Sequence, residues 1–288
     1  MKEFTLLSGK GGTGKTSISA ALASLVSEAI FCDNDVDAAD LHLIFKPEVL
    51  EKHQFEGAWV ASIKQDICTQ CGICMDTCRF NSIHENNGIV EVNAFQCEGC
   101  RLCERVCPVG AIQSERSDRN FWYISATRFG TLVHARMAPG EENSGKLVAL
   151  IRNKTKEIAQ SKNLKYIIND GPPGIGCTAI SSITGTDHIL LVSEPTKSGL
   201  HDAIRVIELA KNFKVPISAL INKFDLNADM SDQIETELAH YQIPILARLP
   251  FDEIFVEAMI EGKNIVEFAP DSSISKQLKS VWEYLKDK

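Results

Sequence analysis

Eight of the ten cysteines fall into two runs of one spacing. Cys68, Cys71, Cys74 and Cys78 are separated by two, two and three residues, and Cys97, Cys100, Cys103 and Cys107 repeat that pattern 97 − 68 = 29 positions later. The tails correspond as well, Arg79-Phe80-Asn81-Ser82-Ile83 against Pro108-Val109-Gly110-Ala111-Ile112. Thiols clustered in this way read as metal ligands when the compartment is reducing. Three closely spaced thiolates can wrap three irons of a cubane iron–sulfur cluster. Zinc is the competing reading, because paired CxxC motifs hold it tetrahedrally, but zinc sites do not usually need a third Cys at the same spacing.

A second chemistry opens the chain. Gly9-Lys10-Gly11-Gly12-Thr13-Gly14-Lys15-Thr16, with Ser17 next, satisfies GxxxxGK[ST]. Glycines let successive backbone N–H groups converge on phosphate oxygens, and the N-terminus of the following helix adds favourable potential. Lys15 is expected to reach the β- and γ-phosphates and the Thr16 hydroxyl to bind Mg²⁺. Three polar segments lie further on: the acidic run Asp33-Asn34-Asp35-Val36-Asp37-Ala38-Ala39-Asp40, the Asp170-Gly171-Pro172-Pro173-Gly174 turn, and Asn222-Lys223-Phe224-Asp225. The last spells NKxD, which selects guanine in many GTPases.

These residues need a scaffold. Phe4-Thr5-Leu6-Leu7 reads as a buried strand before the glycine loop, Thr16 to Val26 as a helix, and Ala29-Ile30-Phe31-Cys32 as a second strand ending in the acidic run. The rhythm stops between about residues 62 and 117, where the cysteines lie, and returns from Phe121. Further strands are expected at Phe121–Ala126, Tyr166–Asp170, Asp187–Val192, Pro216–Ile221 and Pro244–Leu249, with a helix over Gly199–Asn212. The expected fold is an α/β P-loop domain with a mostly parallel sheet flanked by helices, formed by residues 1–61 and 118–288. A small α+β insert, 62–117, interrupts it.

The extra Lys10 after the first glycine makes the loop resemble the deviant Walker A of the MinD/ParA/Mrp/nitrogenase-iron-protein group. The resemblance covers nearly the whole chain outside the insert. It implies ATP rather than GTP, and an ATP-sandwiched homodimer in which Lys10 reaches the partner's nucleotide. It also implies that Asp35 orients the attacking water, that Asp33 lies near Mg²⁺, and that Asp170 holds the Mg²⁺ shell, with Gly174 as a movable switch. Asn222, Asp225 and the turn at Pro250-Phe251-Asp252 would then face the base.

The cysteine runs resemble the bacterial two-cluster ferredoxin module. That likeness implies two [4Fe-4S] clusters with crossed fourth ligands. Cys68, Cys71, Cys74 and Cys107 would hold one, and Cys97, Cys100, Cys103 and Cys78 the other. Arg79 departs from the pattern, standing where Pro108 stands in the second run. A cation beside a cluster should favour its reduced, more negative state.

Together the two likenesses imply an ATPase that couples nucleotide state to electron transfer, or to assembly of a metal or Fe–S cofactor on an unknown partner protein. A MinD/ParA-like spatial regulator with structural or redox-sensing clusters is the alternative.

The remaining signals mostly exclude. Net charge of −8 over 288 residues argues against a general nucleic-acid binder, which needs a basic face. No stretch approaches the roughly 20 apolar residues of a membrane helix, and Met1 to Ser8 reads as a strand, leaving no room for a leader, so the expected compartment is the cytoplasm. Cys32 reads as core. Cys177, beyond the second switch, is a candidate ligand or metal relay. His134 and His188 read as structural or surface residues, and Asn143-Ser144-Gly145-Lys146 as a helix cap or a functional loop. Ile274, Leu278, Val281, Trp282 and Leu285 have the spacing of a core-packed last helix.

Overall fold

The computed structural model describes residues 1–138, 141 and 144–288. Contacts divide the chain into two compact units, one of Met1–Lys52, Tyr123–Ala135 and Gly145–Lys288, the other of His53–Trp122 and Arg136–Ser144. Of the 143–146 segment, Asn143, like Pro139 and Gly140 before it, lies outside the described residues, and Ser144 to Lys146 begin a helix.

The chain runs β1 (Lys2–Ser8), α1 (Lys15–Ala23), β2 (Ala29–Asp33), α2 (Leu41–Phe45) and β3 (Glu48–Phe55). The cysteine-rich part follows as β4 (Trp59–Ile63), α3 (Ile73–Thr77), β5 (Ile83–Asn86), β6 (Ile89–Val92), α4 (Leu102–Val106) and β7 (Ile112–Arg116). Then come β8 (Asn120–Thr127), β9 (Gly130–Arg136), α5 (Ser144–Ser161), β10 (Tyr166–Pro173), α6 (Cys177–Ile183), β11 (His188–Ser193), α7 (Lys197–Asn212) and β12 (Ile217–Asn222). The chain closes with α8 (Ala228–His240), β13 (Ile245–Leu249), α9 (Ile254–Ile260), α10 (Ile265–Phe268) and α11 (Ser273–Lys286).

The large sheet has the order β13-β12-β11-β1-β10-β2-β9-β8-β3. Six strands from β13 to β2 are mutually parallel, and β9 continues parallel to β2. Parallel strands are covered on both faces, and their sequences are accordingly apolar almost throughout. Side chains alternate between the faces. Phe4, Leu6, Leu190 and Leu220 pack with α1, α10 and α11. Leu7, Ile189, Leu191 and Ile221 pack with α7 and α8. The five apolar residues of α11 are all buried, with Trp282 set edge-on to Phe4 and Tyr166 at 5.9 and 5.0 Å. Among the described residues no helix is long and apolar enough to cross a membrane.

β1 is central, and the acidic residues lie on β10 beside it and on β2 beyond. Leu6 is in register with Asp170 of β10, and Asp170 with Asp33 of β2, so both carboxylates emerge beside the glycine loop at the C-terminal ends of the strands. In parallel α/β sheets that edge is where ligands bind.

The cysteine-rich unit is a structural repeat with the 29-residue period of its sequence. Each run passes through left-handed backbone at matched positions: Gln70 and Gly99, Gly72 and Arg101, Asn81 and Gly110. Between the second and third of these positions each run forms a five-residue helix with its fourth cysteine as the C-cap. The strands are exchanged between repeats. β4 pairs antiparallel with β7, and β5 with β6, so that Ile63↔Ile112 corresponds to Val92↔Ile83.

Candidate functional site

Two cavities in the cysteine-rich unit are each lined by four thiols. One, of about 20 Å³, is lined by Cys68, Cys71 and Cys74 together with Cys107. The other, of about 310 Å³, is lined by Cys97, Cys100 and Cys103 together with Cys78. The exchange of strands between the repeats carries each fourth cysteine into the opposite cavity. Among the described residues no three His, Cys, Asp or Glu side chains converge as they would on a single ion.

The fourth thiols differ electrostatically from Cys74 and Cys103. Burial alone would raise Cys78, but hydrogen bonds from Ser82 and from the backbone amides of Phe80 and Ile83 pull it below its ordinary value. Cys107 is lowered in the same way, against burial, by the amides of Val109, Gly110, Ala111 and Ile112. Cys103 is pushed up to about 11 by burial, and Cys74 is raised for the same reason. Donors aimed at sulfur favour the thiolate, the form that binds metal.

The glycine loop borders a third cavity, of about 400 Å³, lined by Gly11 to Ser17, Ser8, Asp35 and Pro173, and also by Leu43 and Met259. Gly14 takes φ +88° as the N-cap of α1, and a β-carbon there would collide with the Asn222 side chain. Among the described residues no side chain caps α1, so its first N–H groups stay available to an anion. Gly9 lies against α7, where a β-carbon would come within 2.6 Å of the Asp202 backbone.

Asp170 is buried and saturated. It accepts from Lys15 Nζ at 2.9 Å, Thr16 Oγ1 at 2.8 Å and Ser19 Oγ at 2.7 Å. Lys15 is also 3.9 Å from Asp35. Burial pulls the Lys15 ammonium down, but the charges of Asp170 and Asp35 outweigh it and hold it above its ordinary value. Asp33 is raised well above the usual carboxylate range by burial and by Asp170, although it accepts from the amides of Asp35 and Leu41. Asp35 is pushed up to about 6, mainly by burial.

Lys10 lies 2.6 Å from Glu194, at the end of β11. Glu194 also pairs with Lys223 at 3.1 Å, and Lys223 donates to the Gly12 carbonyl. Asn222 is buried and donates to the Thr13 carbonyl at 2.8 Å. Asp225 accepts from the Phe251 amide at 2.7 Å and so fixes the turn after Pro250. Asn222, Asp225 and Pro250 are not among the residues lining this cavity. Ser19, Glu194 and Lys223 were not singled out by sequence. Lys223 lies inside the NKxD segment, Ser19 lies one turn beyond the loop, and Glu194 carries no motif at all.

The glycine loop and its parallel sheet belong to a recognised type of nucleotide-binding domain. The sequence signature CbiA, the CobQ/CobB/MinD/ParA nucleotide binding domain, spans residues 4–265. The chain belongs to that family. It is 33% identical over 290 residues, 99% of this chain and 96% of the relative, to the uncharacterized protein MJ0578 of Methanocaldococcus jannaschii. It is 21% identical over 297 residues, 96% of this chain and 93% of the relative, to the cytosolic Fe-S cluster assembly factor Nubp2 homolog of Aedes aegypti. In three dimensions it is similar to the septum site-determining protein MinD of Pyrococcus horikoshii, solved with Mg-ADP, with a TM-score of 0.58 at 16% identity over 99% of this chain and 95% of that one. The fold is therefore that of the MinD/ParA P-loop ATPases.

The other signals lie in the scaffold. Cys32 is fully buried, its thiol pushed up to about 12 by burial. His188 meets Ser218 and His134 meets Ser125, each at 2.9 Å, and burial lowers both rings to about 4. Cys177 is exposed at the start of α6 and does not line the loop cavity.

Proposed function

We propose that this chain is an ATP-binding and hydrolysing iron–sulfur protein that couples nucleotide state to electron transfer or to metal and Fe–S cofactor assembly on a partner protein. The observation that carries the reading is the crossed set of four thiols around each of two cavities. That donor set suits [4Fe-4S] clusters, whose fourth ligand comes from the other run. On this reading residues 62–117 are an inserted ferredoxin module and residues 1–61 and 118–288 the nucleotide domain.

The nucleotide site is supported by the uncapped helix, the left-handed Gly12 and Gly14, and a lysine held charged at the loop. Gly9 to Ser17 would cradle the phosphates, and Lys15 would leave Asp170 for the β- and γ-phosphate oxygens. Thr16, Asp170 and Asp33 would hold Mg²⁺, which neutralises phosphate charge when bound. Asp35, the least buried of the three carboxylates, is the acceptor that orients water and takes its proton, and its value of about 6 suits a base working near neutrality. Asn222, Lys223 and Asp225 brace the loop and the Pro250 turn that would flank the base.

A homodimer with ATP at its interface fits the rim of the cavity. Leu43 and Met259 line it while 56% and 47% exposed, and Ile260 beside them is 81% exposed. Exposed apolar side chains grouped at a site mark a contact surface.

Anaerobic purification with iron and sulfide analysis, alongside an ATPase assay, tests the reading. It predicts about eight irons and eight sulfides per chain and Mg²⁺-dependent ATP hydrolysis. Zinc in place of iron, or no hydrolysis in any oligomeric state, would overturn it.

A further inference from the structure

The two thiol-lined cavities differ in what surrounds the sulfur. The first is small and, apart from Thr69 and Gln70, bounded by aliphatic side chains such as Ile63, Val90 and Ile112, with no charged side chain in its lining. The second is more than twice as large, and beside the apolar Phe80 and Leu102 it is bounded by three charged residues, Arg79, Glu98 and Arg101, and by the hydroxyls of Thr77, Ser82 and Ser114. Arg101 is already neutralised, held by Glu104 at 2.9 Å and stacked 4.4 Å over Trp59. Arg79 and Glu98 are both exposed, and Arg79 makes no ion pair with any described residue. Arg79 follows Cys78, so the crossing that carries Cys78 into the second cavity takes the arginine there too.

We propose that the second four-thiol site is the higher-potential of the two, with Arg79 and Glu98 adjusting it in opposite senses. The inference rests on the iron–sulfur reading above. Reduction adds one electron and no atoms, so the reduced site carries one more negative charge. That charge is poorly accommodated among aliphatic side chains and better accommodated beside water and polar groups. A nearby guanidinium stabilises the reduced state and a nearby carboxylate opposes it. The electron comes from a one-electron donor, and the second site takes it first.

The test is an EPR-monitored redox titration of the full-length, cluster-loaded protein, with dithionite as the reductant and iron counted in each sample. Two one-electron steps are expected. Arg79→Pro, which restores the residue found in the second run, should move the higher step to more negative potential by up to a tenfold change in its equilibrium, about 59 mV. Arg79→Lys should leave it in place, and Glu98→Gln should move the same step the other way. Val109→Arg, at an exposed position of the first cavity, should raise only the lower step. The proposal fails if Arg79→Pro and Glu98→Gln act on the lower step, or if neither moves a step while iron content stays full. Loss of the iron–sulfur reading is seen separately, as unmodified protein without iron.

Discussion

The ammonium of Lys10 sits 2.6 Å from a carboxylate oxygen of Glu194 in its own chain. The lysine that the family likeness assigns to a partner's nucleotide is therefore parked beside its own loop. Both side chains are partly accessible, 28% and 12%, so the pair is worth at most about 1 kcal/mol. Such a contact can be exchanged for a phosphate without a large barrier.

Lys10→Ala is expected to bind ATP within about twofold of the unmodified chain and to lose about a hundredfold or more of hydrolysis, because a charge supplied in trans acts on the transition state. Equilibrium binding and steady-state hydrolysis on the same preparation check it. Hydrolysis near the original rate would remove Lys10 from the mechanism.

Asp170 answers three donors at once. Asp170→Asn leaves a buried ammonium at Lys15 short of its main partner, and removing one side of a buried pair costs about 3–5 kcal/mol. Thermal melts without nucleotide should show the full loss. Added Mg²⁺ and ATP should restore little of it, because the residue proposed to hold Mg²⁺ is gone.

Asp35 gives the pH dependence its sign. Burial, opposed by Lys15 and reinforced by Asp170, takes it from an ordinary value of 3.8 to about 6. A carboxyl with a raised value stabilises the fold while neutral, fully below its unfolded value, and that contribution is lost as pH rises through about 6. Asp35→Asn should thus stabilise the nucleotide-free chain at about pH 7.5 by about 1 kcal/mol after allowance for solvent, and have no effect near about pH 3. Hydrolysis by the unmodified chain should fall as pH drops below about 6, where the proposed base becomes protonated.

Asp225 accepts from the Phe251 amide and Asn222 donates to the Thr13 carbonyl, contacts by which the NKxD segment braces the loop and the Pro250 turn. Asp225→Ala should leave the preference for ATP over GTP unchanged within about threefold and cost about 1–2 kcal/mol of stability through the freed turn. Competition binding with both nucleotides measures it. A swing in the ratio would mean that Asp225 reads the base.

Much of the α/β frame was legible because parallel strands buried on both faces must be apolar almost throughout, as Phe4–Leu7 and His188–Ser193 are. β3 was not legible. Its sequence, Glu-Val-Leu-Glu-Lys-His-Gln-Phe, is mostly exposed, and a strand at the end of the sheet need not alternate. The cysteine runs were legible because ligand spacing is a local property. Their left-handed matched positions were less so, since Arg101 and Gln70 occupy conformations usually given to glycine. Glu194 could not be found from sequence, because only the sheet brings the end of β11 to the loop.

The central claim is that nucleotide state and the clusters share one free-energy balance. The direct measurement is the cluster midpoint potentials in the absence and then the presence of saturating Mg·ATP, on protein of known iron content. The account predicts that at least one midpoint moves by more than about 30 mV, roughly 0.7 kcal/mol for one electron. Superimposable titrations on fully loaded, ATP-bound protein would contradict it.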